Sequence, residues 1–90
     1  MEKYEKGMEY YDQGEDDFLQ GDYESAIANF TKAIEIIPDE DANIYSLRGR
    51  AYAGIGEFKK AIADLTKAIK INPIDTEFYA RRGEIYKEDG

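Results

Sequence analysis

Ninety residues make one domain with a core of modest size, and an apolar content of 42% sets the chain apart from disordered sequences. Cys and His are both absent, which removes disulfides, thiolate chemistry, the commonest general base and the commonest metal ligand. The net charge of −8 is uneven: residues 1–41 carry 13 acids and 3 bases, residues 42–90 carry 7 acids and 9 bases.

Apolar residues recur at three- and four-residue spacing, the period of a helix. The first helix, α1, is predicted over about Glu2 to Leu19 and stops at Gln20-Gly21, where glycine takes the left-handed conformation at little cost. Asp22 then caps α2, about Tyr23 to Ile36, which Pro38 ends because it lacks an N–H and disfavours helix in the residue before it. Asp41 is a plausible N-cap for α3, about Ala42 to Ile55, ended by Gly56. α4 spans about Phe58 to Ile71 and stops at Asn72-Pro73; Asp75 or Thr76 begins α5, which reaches about Glu88. Connections this short force antiparallel hairpins.

The segment from Gly14 to Pro38 returns thirty-five residues later as Gly49 to Pro73. Ser25 to Ile36 and Lys60 to Ile71 match almost residue for residue, and an internal period of this length signals stacked helical hairpins. Ala26, Ala33, Ala61 and Ala68 recur once per two turns, where helices must approach closely. Gly14, Gly49 and Gly83 recur midway along α1, α3 and α5, at a cost of about 1 kcal/mol each against Ala, so a packing reason is expected at all three.

The second copy reads Tyr45, Arg48-Gly49, Tyr52, Ala61, Leu65 and Pro73 at the spacing W-x2-L-G-x2-Y, A-x3-F, P. The first reads Tyr10, Gln13-Gly14, Asp17, Ala26, Phe30 and Pro38; the third begins Tyr79, Arg82-Gly83, Tyr86 and stops at Gly90. The chain therefore resembles a tetratricopeptide-repeat (TPR) protein. The resemblance implies an all-α superhelix of five antiparallel helices: repeat one about 7–41, repeat two about 42–75 and a partial third about 76–90. Asp17 and Gln13 depart from the expected Tyr and Leu, and one extra residue lies in the acidic turn Asp39-Glu40-Asp41. Neither disturbs the fold.

In the family, the first helix of a repeat also packs against the preceding repeat. The positions resembling that backward face are Ile44, Ala51 and Ile55 in repeat two, and Phe78, Ile85 and Asp89 in repeat three. In repeat one they are Glu9, Asp16 and Gln20, which implies that residues 1–20 are the N-terminal end of the stack. Tyr79 and Tyr86 would normally cover a following helix; α5 then either caps the stack, belongs to a longer array, or pairs with a second copy as a homodimer.

TPR proteins bind peptides or helices in a concave groove. The resemblance maps that groove onto Met8, Tyr11, Glu15 and Phe18 of α1, Asn43, Ser46, Arg50 and Ala53 of α3, and Glu77, Ala80, Glu84 and Lys87 of α5. Met8, Tyr11, Glu15 and Phe18 also form a stripe by spacing alone, with Tyr4 at its head, outside the core positions of the repeat. It reads either as an apolar-plus-acidic pocket for a peptide with a hydrophobic anchor and a basic residue, or as side chains folded back on their neighbours. Some TPR proteins clamp a chaperone's C-terminal carboxylate with Lys, Asn and Arg. The matching positions here are Tyr11, Glu15, Leu47, Glu77 and Arg81, of which only Arg81 fits, while Glu15 and Glu77 would repel a carboxylate.

Other motifs carry less. Asp39-Glu40-Asp41-Ala42-Asn43 begins like a calcium loop but then has Ile44 and Arg50 where Gly and Glu are needed. Glu15, Asp16 and Asp17 are consecutive, so their carboxylates point to different helix faces. Gly54-Ile55-Gly56 lacks a following Gly-Lys, and Lys59, Lys60, Lys67 and Lys70 read as a solvated face without interleaved aromatics. No apolar run approaches the roughly 18 residues of a membrane span, and Met1 to Lys6 lack a signal-peptide stretch, so a cytoplasmic protein is expected. The acidic half argues against nucleic acid or anionic membrane as ligand. The function expected is non-catalytic protein or peptide binding without a cofactor. The alternative is a structural module that self-associates through its acidic and basic halves.

Overall fold

The structure, a computed structural model, describes residues 2–37 and 41–89. It holds α1 (Glu2–Leu19), α2 (Tyr23–Ile36), α3 (Ala42–Gly54), α4 (Phe58–Ile71) and α5 (Thr76–Asp89). Pro38 and the Asp39-Glu40 part of the acidic turn lie outside the described residues. The helix ends follow the local chemistry. Gly21 and Gly56 have φ of 82° and 81°, the left-handed conformation that closes each hairpin. Asp22 accepts from the Ser25 N–H at 3.3 Å and Asp41 from the Asn43 N–H at 2.9 Å, so each aspartate satisfies a donor left open by the first helical turn. α3 ends one residue earlier than the sequence suggests, with Ile55 as its C-cap.

α1 packs on α2, α3 on α4, and α2 and α4 each pack on the helix that follows, giving an elongated slab of 42 × 28 × 17 Å. Two apolar clusters hold it. The first joins Ala26, Phe30, Ala33 and Ile37 to Ile44 and Ala51 of α3. The second joins Tyr45, Ala61, Leu65 and Ala68 to Phe78 and Ile85 of α5. Ile34 touches both clusters, so the core is continuous through α2. Ile44, Ala51, Phe78 and Ile85 are buried as the backward-facing positions require, whereas Glu9, Asp16 and Gln20 are exposed. Ile55 departs from that pattern at 43% exposed, because it sits past the end of α3 in the turn before Gly56.

The three mid-helix glycines divide. A Cβ on Gly14 would lie 2.7 Å from the ring of the fully buried Phe30, and one on Gly49 would lie 3.0 Å from the Ala61 carbonyl oxygen and 3.1 Å from Asp64 Cβ. At both, the second helix of the hairpin rests on bare backbone. Gly83 has nothing within 4 Å, so the packing reason expected there is absent within this chain.

A buried ion pair ties the second hairpin. Arg48 donates from Nε and Nη2 to the two Asp64 oxygens, both at 2.8 Å, and from Nη1 to Thr31 Oγ1 at 3.2 Å. Its guanidinium lies 5.8 Å from the Tyr45 ring and 5.7 Å from the Tyr52 ring, and the hydrogen bond to Asp64 raises its pKa further. Arg48 occupies the position where the repeat pattern has Leu, so one charge-assisted fork replaces an aliphatic contact.

Gly49→Ala is expected to lower the melting temperature, while Gly83→Ala raises stability by up to about 1 kcal/mol through helix propensity; thermal melts of the two variants check the contrast. Asp64→Ala leaves Arg48 without its partner and is expected to cost on the order of 3 kcal/mol, much of which returns when Arg48→Leu is added, as denaturant titration would measure.

Candidate peptide-binding face

α1, α3 and α5 follow one another along one side of the slab, with α3 touching both neighbours. At the α1 end, Met8, Tyr11 and Phe18 are half-buried and pack against the first core cluster. The Tyr11 ring lies 6.1 Å from Phe30, and Phe18 meets Tyr23 edge-on at 5.5 Å. The stripe therefore faces two ways: one edge of these rings completes hairpin one and the other is open to solvent. Tyr4, at its head, is 51% exposed, and Glu15 is exposed beside Tyr11.

The middle of the face belongs to Arg50, whose guanidinium stacks over Phe18 at 5.0 Å and so joins α3 to α1. Beyond it, Arg50 and Ala53 of α3 and Arg81, Glu84, Ile85 and Glu88 of α5 enclose a shallow cleft. Burial lowers the Arg50 pKa, and Arg81 adds to that effect, while Glu77 and Glu84 oppose it. Arg81 reaches Glu84 at 3.8 Å on the same helix, an exposed pair of little energetic weight.

Of the twelve residues expected to line a groove, the structure brings Arg50, Ala53 and Glu84 together in that cleft and puts Phe18 under Arg50. Asn43, Glu77, Ala80 and Lys87 are exposed, Asn43 on α3 and the others on α5. Ser46 is only 4% exposed, so its hydroxyl is covered by the fold and offers a ligand almost no surface. Among the described residues, a larger hollow is lined by Glu2, Lys3, Glu5, Lys6 and Glu9 of α1. Among the described residues no group of three or more potential metal ligands converges. No described helix is long and apolar enough to cross a membrane.

Three features escaped the sequence reading. Asp64 is an acid in the apolar strip of Ala61, Leu65 and Ala68, which is itself a signal that a cation must face it. Tyr23 wedges against Gly54, where a Cβ would meet its ring at 2.6 Å. Lys60 and Lys67, read as solvated and free of aromatics, lie over Tyr52 and Tyr45 at 5.7 and 5.9 Å, because the two rings rise from α3 to the flank of α4.

Paired antiparallel helices stacked through a repeated glycine contact define a helical-hairpin repeat protein. The family profile described as Tetratricopeptide repeat matches residues 4–73, and the chain belongs to that family. No curated protein matches the sequence closely enough to be counted a relative. Among solved structures, the TPR domain of Arabidopsis OM64 superposes with a TM-score of 0.90 at 24% identity, covering 96% of this chain and 70% of that one. The second TPR domain of human RPAP3, solved in complex with the HSP70 peptide SGPTIEEVD, gives 0.85 at 29% identity, covering 92% and 68%. The TPR2B domain of yeast Sti1, in complex with an Hsp70 peptide, gives 0.83 at 34% identity, and this chain covers 63% of its length.

Tyr11 supplies a test of the α1 end. Burial first, then Glu15, Asp41 and Asp12, pushes its phenol up from 10.0 to about 12. The folded state thus favours the neutral phenol. The stability that this contributes is complete below pH 10 and is lost as pH rises toward about 12. Tyr11→Phe is expected to remove that part of the alkaline loss, measurable by denaturant unfolding at stepped pH.

Proposed function

We propose that this chain is a non-catalytic interaction module that holds a peptide or helix of another protein against α1, α3 and α5. The apolar anchor of the ligand would rest on the open edges of Met8, Tyr11 and Phe18. A basic residue of the ligand would meet the acidic groups Glu15, Glu77 and Glu84. What supports this reading most directly is the half-buried state of Tyr11 and Phe18: the rings are fixed by Phe30 and Tyr23 yet keep an accessible edge, so little order is lost on binding. Family membership and the peptide complexes of RPAP3 and Sti1 support the choice of a peptide as ligand.

The same relatives raise the case of an acidic chaperone tail. At the positions a carboxylate clamp would use, this chain has Tyr11, Glu15, Leu47, Glu77 and Arg81. Leu47 is packed against the first core cluster and two of the five are acids, so only Arg81, with Arg50 across the cleft, offers positive charge. The preferred ligand is therefore apolar and basic, with the tail of RPAP3's HSP70 peptide a poor match.

Calorimetry with two peptides separates these charges: SGPTIEEVD, and the same peptide with Lys at both Glu positions and at Asp. The basic peptide is expected to bind at least about tenfold more tightly and to weaken with salt. Tighter binding of the acidic peptide, abolished by Arg81→Ala, would overturn the assignment of charge.

A further inference from the structure

We propose that the outer face of α4 is a second docking surface, separate from the groove, which takes an acidic helix of another protein. The chain holds its own control for this face, because α2 and α4 are two copies of one helix. Their buried positions agree: Ala26, Phe30 and Ala33 of α2 answer to Ala61, Leu65 and Ala68 of α4, and all six are 0% exposed. Their outward positions do not. Where α2 has Glu24, Ser25 and Glu35, α4 has Lys59, Lys60 and Lys70, while Lys32 is matched by another cation, Lys67. Hairpin one folds with acids at these places, so the fold does not require lysine there.

The lysines share one side of the helix. Lys59 and Lys70 are about three turns apart and Lys60 and Lys67 about two, which puts all of them within about 100° of arc, with Ala63 among them. Lys59, Lys60, Ala63 and Lys70 are exposed, and Lys67 is half-buried. The Tyr52 and Tyr45 rings steady Lys60 and Lys67. The only acid within α4 is Asp64, and Arg48 holds both of its oxygens. Among the described residues, no carboxylate pairs with Lys59, Lys60 or Lys70. The face also stays open along a stack. The equivalent Glu24, Ala28, Lys32 and Glu35 are exposed although a second hairpin follows α2, and α2 makes no contact with α4.

The lysines weaken the helix that carries them. α2 begins with Glu24 in its first turn and with Asp22 accepting from the Ser25 N–H, both suited to the positive end of a helix. α4 begins with Lys59 and Lys60, has no acid in its first turn, and is preceded by a Glu57 that makes no side-chain cap bond. Two cations there oppose the helix dipole; packing does not call for them, and an anionic partner would relieve them. Shape decides the class of anion. The chain carries −8 overall, and the acids of α1 and α2 would repel a broad anionic surface such as a duplex or a bilayer. A single helix is narrow enough to lie along α4 alone. Its carboxylates fall at i, i+4, i+7 and i+11, the spacing of Lys59, Ala63, Thr66 and Lys70.

The probe is a synthetic alanine-based helical peptide with glutamates at those positions, added to the whole chain and followed by amide NMR. Binding should shift Lys59, Ala63 and Lys70, weaken as salt rises, and fall at least about tenfold when the glutamates become glutamines. The decisive variant gives α4 the outward residues of α2: Lys59→Glu, Lys60→Ser and Lys70→Glu together. It should keep its helicity, as α2 does with these residues, and weaken the peptide at least about tenfold. If it loses helicity, Lys59→Gln with Lys70→Gln gives the same reading by removing charge. Absence of shifts on α4 overturns the proposal. So does undiminished binding to these variants, or equal affinity for a peptide whose glutamates are spread around the helix. Binding of phosphatidylserine vesicles or duplex DNA in place of the peptide, lost in the triple variant, would overturn it in favour of those anions. A salt-sensitive dimer that buries α4, seen by sedimentation, would do so in favour of a second copy. The groove fails separately: a peptide held on α4 is insensitive to Arg81→Ala, and the triple variant leaves groove ligands bound.

Discussion

Everything in this chain depends on the distance between two helix backbones within a hairpin. Gly14 and Gly49 remove a side chain where the partner helix crosses, and the alanines Ala26, Ala33, Ala61 and Ala68 do the same from the other side. The bare backbone admits the Phe30 ring over Gly14 and the Ala61 backbone over Gly49, and Phe30, Ile44, Leu65 and Phe78 are the large side chains that the fold buries fully. A hairpin of this kind has no core of its own depth. It becomes stable by laying its outer face on the next one, which is why Ile44 and Ala51 belong to the first cluster, and Phe78 and Ile85 to the second.

The electrostatics follow from the same crowding. A buried Asp64 in an apolar strip would be costly alone, but Arg48 meets both of its oxygens and is itself sandwiched between Tyr45 and Tyr52. The open side of α3 uses a cation differently. Arg50 lies over Phe18 and lines the cleft with Arg81, so it connects the hairpins, and among the described residues it has no close carboxylate partner. One arginine is consumed by the fold, and the other lines the cleft between α3 and α5.

Much of the architecture was legible because its determinants are local. Gly21 and Gly56 stop helices through backbone conformation, Asp22 and Asp41 start them through single hydrogen bonds, and the thirty-five-residue echo supplies the pairing. The site was less legible, because it depends on which side of a ring faces in. Met8, Tyr11 and Phe18 fit a stripe by spacing, but only the packing reveals that each gives one edge to the core. Ser46 illustrates the same limit: its place in the repeat put it in the groove, and neighbouring helices cover it. Lys60 and Lys67 show it again, since rings on α3 lie within reach of residues on α4 that no linear spacing connects.

The wedge of Tyr23 into Gly54 has a consequence for shape on a larger scale. Tyr23 begins α2 and Gly54 ends α3, so the ring acts as a spacer between successive hairpins, backed by Phe18 and, through it, by Arg50. In a stack of repeats, the thickness of such a spacer sets the angle at which one hairpin leans on the next, and that angle accumulates along the array. The curvature of such a surface, and with it the span of ligand that can lie along it, thus depends on an aromatic residue that also packs inside the first hairpin.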